Sequence, residues 1–93
     1  MFASNAQHLD LDCGISYARI ASWLDGELAL PRAGDGWTFS TGNDTCLVEV
    51  VPLESRAFGT IALERARLMA SGDAEALAAF ERLFTLRFIS AGG

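Results

Sequence analysis

The sequence predicts an α+β domain: a small antiparallel sheet of three to four strands packed with helices, including a C-terminal helical pair. Three observations predict it. The chain has 93 residues, 51% hydrophobic and 20% charged, which is the composition of one globular domain. Residues up to about Pro52 are rich in turn residues and β-formers, whereas the remainder is rich in Ala, Leu, Glu and Arg. No linker, repeat or low-complexity segment interrupts the chain, so residues 1–93 are expected to form a single domain.

The elements follow in order. His8-Leu9-Asp10-Leu11-Asp12-Cys13 alternates strictly, with His8, Asp10 and Asp12 on one face and Leu9, Leu11 and Cys13 on the other. That is the period of a half-buried strand. Residues 15–25 admit two readings. Tyr17, Ile20, Ala21 and Leu24 make a helical stripe closed by Gly26, where a C-cap glycine belongs. As a strand, the segment would end in an Asp25-Gly26 hairpin turn. The helix is preferred.

Residues 27–30 read as a short strand stopped by Pro31, and Gly34-Asp35-Gly36 as the turn into a strand over 37–40. Gly42-Asn43-Asp44 turns the chain again into Thr45–Val51, TCLVEVV, the strongest strand pattern, ended by Pro52. Short strands joined by tight turns predict an antiparallel meander. From residue 54 the texture changes. Residues 62–70, ALERARLMA, are good helix formers, so the 56–70 segment is read as a helix ended by Ser71-Gly72, with a strand as the alternative. Asp73 is placed as the cap of a last helix over 74–89. On a wheel of 100° per residue its apolar positions, Leu77, Phe80, Leu83, Phe84, Leu86 and Phe88 with Ala76 and Ala79, cover an arc of about 200°. That is more apolar face than one small sheet covers.

Composition narrows the function classes. Twelve Asp and Glu against seven Lys and Arg give a net charge of −5, and all seven cations are arginine. An acidic domain repels nucleic-acid phosphates and anionic membrane surfaces, so neither is an expected partner. No apolar run approaches the ~18 residues of a membrane span. The N-terminus lacks the basic and continuous apolar regions of a signal peptide. A small soluble cytoplasmic protein is expected, and fifteen alanines beside no lysine point to a GC-rich, bacterial source.

Candidate chemistry is sparse. Cys13 and Cys46 are 33 positions apart, not the close pair of a metal or redox motif, and read as buried thiols, with a disulfide as the alternative. The only histidine, His8, shares a face with Asp10 and Asp12. Alternate strand residues stand about 6.6 Å apart at each step, too wide to share one ion, so no metal site is expected. His8 and Cys13 have opposite parity and cannot form a nucleophile pair. Gly34-Asp35-Gly36 precedes a strand rather than a helix and is no phosphate cradle. Ala91-Gly92-Gly93 ends in the Gly-Gly that ubiquitin-like sulfur carriers activate. Those folds place a strand before it, whereas residues 81–89 have a helical period, so it reads as a chain end. No catalytic residue and no cofactor are assigned.

Arg65 and Arg87 each fall inside an apolar arc when their segments are drawn as helices. Such a guanidinium either receives a carboxylate or covers apolar surface with its stem, and Arg65 is the candidate anion contact. Trp23 and Trp37 are assigned to the core. The surplus apolar face then points to a non-enzymatic protein–protein interaction module, a homodimer joined through the last helix. Its expected contacts are Leu77, Phe80, Phe84, Arg87 and Phe88, because aromatics and Arg dominate interface energetics. A small acidic chaperone, inhibitor or immunity-type protein masking one partner is the alternative, and a ligand- or metal-binding domain the third.

Overall fold

A computed structural model describes residues 6–90 of the chain. The fold is α+β: one antiparallel sheet with helices on one of its faces. Strand β1 (Ala6–Cys13) leads to helix α1 (Tyr17–Ser22), which runs on through wider π-helical turns, Trp23–Glu27. Then come β2 (Arg32–Ala33), β3 (Gly36–Thr41), β4 (Asp44–Phe58) and β5 (Ile61–Asp73). Helix α2 (Ala74–Phe84) follows with no loop and continues in π-helical turns through Thr85–Ser90. The sheet order is β1-β5-β4-β3-β2.

Several expectations are corrected here. The sheet has five strands rather than three or four. The 56–70 segment is strand, so there is no C-terminal helical pair. Its Ala, Leu, Glu, Arg and Met favour helix locally, but β5 is hydrogen-bonded on both sides, to β1 and to β4. Tertiary pairing of that kind overrides local preference. Residues 27–30 are not a strand, and the short strand lies two residues further on, at β2. Pro52 does not end β4: beyond Val48 that strand has a neighbour only on the β5 side, and a residue without an N–H is tolerated at such an open edge.

The meander is made by three loops of one kind. Gly34-Asp35, Gly42-Asn43 and Gly59-Thr60 each join two strands with two residues, and each glycine has φ near 60°. Glycine first in a two-residue hairpin suits the right-handed twist of the flanking strands. A different glycine sets the start of α2. Gly72 (φ 145°) is paired with Gln7 on one side and Cys46 on the other, and a Cβ there would stand 2.5 Å from the Thr45 carbonyl oxygen. Asp73 then begins the helix, but its carboxylate does not cap it. Its Oδ2 accepts from the Thr45 amide at 3.0 Å, tying the helix start to β4.

The covered face is built by strand parity. Cys13, Ala66, Leu68, Ala70, Cys46, Val48, Val50, Trp37 and Phe39 point to the helices and are buried, with Leu9 and Leu11 partly so. The strand face of Leu9, Leu11 and Cys13 is therefore placed as expected. Small residues on β5, Ala66 and Ala70, let the helices approach closely. Ile20 and Leu24 of the first helical segment complete the core with Ala76, Leu77, Phe80 and Phe84 of α2. Trp23 sits at the junction, with ring centroids 5.8, 5.9 and 5.2 Å from Phe80, Phe84 and Phe88. Much of the wide apolar arc of the last helix is thus covered, by the sheet on one side and Trp23 on the other, while Leu83 and Leu86 stay exposed. Trp37 is fully buried, and its indole N–H donates to Asp25 Oδ1 at 2.7 Å while Arg32 stacks on the ring at 4.4 Å.

Candidate functional site

The other face of the sheet carries no helix. By parity it presents His8, Asp10 and Asp12 from β1, Arg65, Arg67, Met69 and Ser71 from β5, and Leu47, Glu49 and Val51 from β4. Cross-strand ion pairs line its β1 side. Arg67 Nε donates to Asp10 Oδ1 at 2.8 Å and a second nitrogen reaches Oδ2. That hydrogen bond, joined by the cation's charge, holds the Asp10 carboxyl below the usual carboxylate range. Arg65 lies 3.6 Å from Asp12. The face shared by His8, Asp10 and Asp12 is as expected, and both carboxylates are occupied by arginines of β5. Among the described residues, no three His, Cys, Asp or Glu side chains stand close enough to hold a metal ion.

Two strands outrun the rest. β1 ends its pairing at Cys13–Ala66 and β3 at Trp37–Val48. Residues 61–65 of β5 and 53–58 of β4 therefore pair only with one another, as a β-arm extending past the ends of β1 and β3 in a molecule 52 × 30 × 28 Å. Among the described residues seven large apolar side chains are exposed, in two parts of the fold. Leu47, Val51, Ile61 and Leu63 fall on β4 and β5; Leu83, Leu86 and Ile89 fall at the end of the last helix. Alternation along β5 puts Ile61 and Leu63 on the same bare face as Arg65 and Arg67. Ile61 is 61% exposed and Leu63 48%. On the helix side of the arm, a groove of 430 Å³ separates residues 62–65 from Gly14, Ser16 and Arg19.

The contact residues expected from the wheel are distributed differently. Leu77, Phe80 and Phe84 are inside the core, because the helix lies on its own sheet, and they offer no surface to a second molecule. Phe88 packs partly buried against Trp23 and Phe84. Arg87 forks onto Glu27, with Nε 3.2 Å and a terminal nitrogen 3.0 Å from the carboxylate oxygens. It receives a carboxylate from this chain, which fastens the last helix to the first helical segment. Arg65 likewise meets a carboxylate of this chain. The exposed residues of the last turns are Leu83, Leu86 and Ile89.

The two cysteines are free and buried. They stand against β5 at Ala66 and Gly72 respectively, roughly 20 Å apart at the strand rise, so they do not bridge. Burial, with the charge of Asp73, pushes the Cys46 thiol up to about 11. Burial and the neighbouring Asp12 raise Cys13 in the same direction. Neither is a thiolate at neutral pH, and neither has the electropositive setting of a nucleophile. Ala91-Gly92-Gly93 lies outside the described residues. No helix among the described residues is long and apolar enough to cross a membrane. No protein family, curated protein or solved structure matches the chain in these comparisons.

Proposed function

We propose that the protein is a non-enzymatic protein–protein interaction module that works as a homodimer, with the β4–β5 arm as its contact surface. One observation carries this reading. Four of the seven exposed large apolar side chains lie on β4 and β5, and two of these, Ile61 and Leu63, are on the arm, where no helix or third strand covers them. Ile61 and Leu63, two apart on one face of β5 beside the Arg65–Asp12 pair, make an exposed apolar patch with a charged rim, the surface pattern of an interaction site. The arm takes the place of the buried helix residues Leu77, Phe80 and Phe84 in the self-association argument.

The test is absolute mass by light scattering on a sizing column. Loaded at millimolar concentration, the wild type is expected near twice 10.0 kDa, Leu63→Asp near the monomer, and Leu86→Asp unchanged. Dissociation by Leu86→Asp but not Leu63→Asp would move the contact to the last helix and overturn the assignment. A second reading, a small acidic protein masking one partner, is favoured by the second cluster of Leu83, Leu86 and Ile89. A monomeric wild type would favour it over the homodimer.

A further inference from the structure

Sheet edges normally carry some guard against pairing with another chain, and three of the open edges here do. β1 places Asp10 and Asp12 along its length. The open side of β4 contains Pro52 and a register shift between Leu53 and Arg56. β3 is flanked by the two-residue β2, beyond which the Thr38 amide donates to the Pro31 carbonyl at 2.9 Å. The open edge of β5 over residues 61–65 has no proline and no bulge, and its two charges, Glu64 and Arg65, are of opposite sign, so they do not repel a second copy of the same segment. The groove beside it is open.

Hydrogen-bond parity along that edge is set by the hairpin loop. In a two-residue hairpin the flanking residues, here Phe58 and Ile61, exchange both backbone bonds. Ile61 and Leu63 therefore direct their N–H and C=O groups to β4, and Ala62 and Glu64 direct theirs to the open side. We propose that a second copy of this chain lays its own residues 61–65 on this edge, antiparallel, with Leu63 of the two copies facing across a two-fold axis.

The register makes the segment self-complementary. Ala62 of each copy exchanges both backbone bonds with Glu64 of the other. The Leu63 pair between them is a non-hydrogen-bonded pair, whose side chains approach most closely, with Cα atoms about 4.5 Å apart. Ile61 stands opposite Arg65 of the second copy, so no like charges meet head on. On the helix side the incoming strand brings Glu64 into the groove wall that carries Arg19, which no ion pair among the described residues engages. The apolar residues of the two arms merge on the bare face. The contact is small, so the dimer dissociates on dilution.

This inference rests on the self-association proposed above, and its test separates the two. Leu63→Cys is expected to form a disulfide-linked dimer under mild oxidation, because a facing non-hydrogen-bonded pair meets disulfide geometry. Glu64→Pro removes one outward N–H and no bond to β4, and is expected to lose the dimer at concentrations up to millimolar with its circular dichroism unchanged. Dissociation by Leu63→Asp together with a persistent Glu64→Pro dimer, or with no cross-link, overturns the edge pairing and leaves homodimerisation through the arm standing. A wild type monomeric at millimolar concentration overturns both. If Glu64→Pro does not fold, hydrogen exchange of the wild type decides. Concentration-dependent protection of the Ala62 and Glu64 amides supports the pairing, and its absence overturns it.

Discussion

The two faces of the sheet are built from the same five strands and do opposite things. The covered face alternates Val and Leu with Ala on β4 and β5, and two helical segments close over it until Trp37, Phe80 and Phe84 have no exposure. The bare face holds arginine–carboxylate pairs beside exposed leucine, isoleucine and valine. The packed core lies on the first face and the exposed apolar and charged side chains on the second. A substitution on one should therefore leave the property of the other almost untouched.

The largest effect that would break this division lies in the core. Phe80→Ala removes a ring in contact with both Trp23 and Phe39, and is expected to cost about 3–5 kcal/mol. Denaturant unfolding measures it, and a loss of under about 1 kcal/mol would mean that the helix is not held by this face. Next comes the point where three strands meet the start of α2. Gly72→Ala sets a Cβ 2.5 Å from the Thr45 carbonyl oxygen and 2.7 Å from Cys46 Cα, in a backbone region that L-residues avoid. A loss of about 1–3 kcal/mol in the same measurement is expected.

The smallest effect sharpens the comparison from the bare side. Asp10 is held below its ordinary value, near 3.8, by the Arg67 hydrogen bond. A carboxyl lowered by folding stabilises the fold above its unfolded value and loses that contribution as pH falls through the folded one. Asp10→Asn should then be slightly less stable than wild type at neutral pH, and the two unfolding curves should converge as the pH drops below the carboxylate range. Both partners are about half exposed, so the neutral-pH gap is small. A gap that persists undiminished in acid would show that the ion pair is not its source.

Much of the covered face was legible in residue order. The period-two alternation of residues 8–13 placed β1 and its faces, and the apolar arc of 74–89 placed the last helix but not what covers it. The 61–73 segment was misread for a physical reason. Close packing of helices on a sheet demands small residues at Ala66 and Ala70, and alanine is also the best helix former. A correct cue was present in Gly59-Thr60 between Phe58 and Ile61, the same loop as Gly42-Asn43. The bare face was harder to see. In TCLVEVV the even positions Cys46, Val48 and Val50 are all apolar and the odd ones mix Leu47 and Val51 with Thr45 and Glu49, so the inner parity can be read, but not that the outer one stays bare. Only the helices, which cover one side, decide that.

The position of β1 has a kinetic consequence. The strands from β2 to β5 and the last helix are joined through loops of a few residues, so their contacts form between near neighbours in the chain. β1 reaches its place beside β5 only by closing a long loop: Asp10 and Arg67 are 57 residues apart. Closure of that kind is slow relative to hairpin formation. The earliest of these five strands in chain order is thus among the last to dock, and until it docks the β1 side of β5 is an open template. Any capture of β5 by a neighbouring molecule would compete with β1 for the same edge, and the speed of β1 docking sets how long that edge stays open.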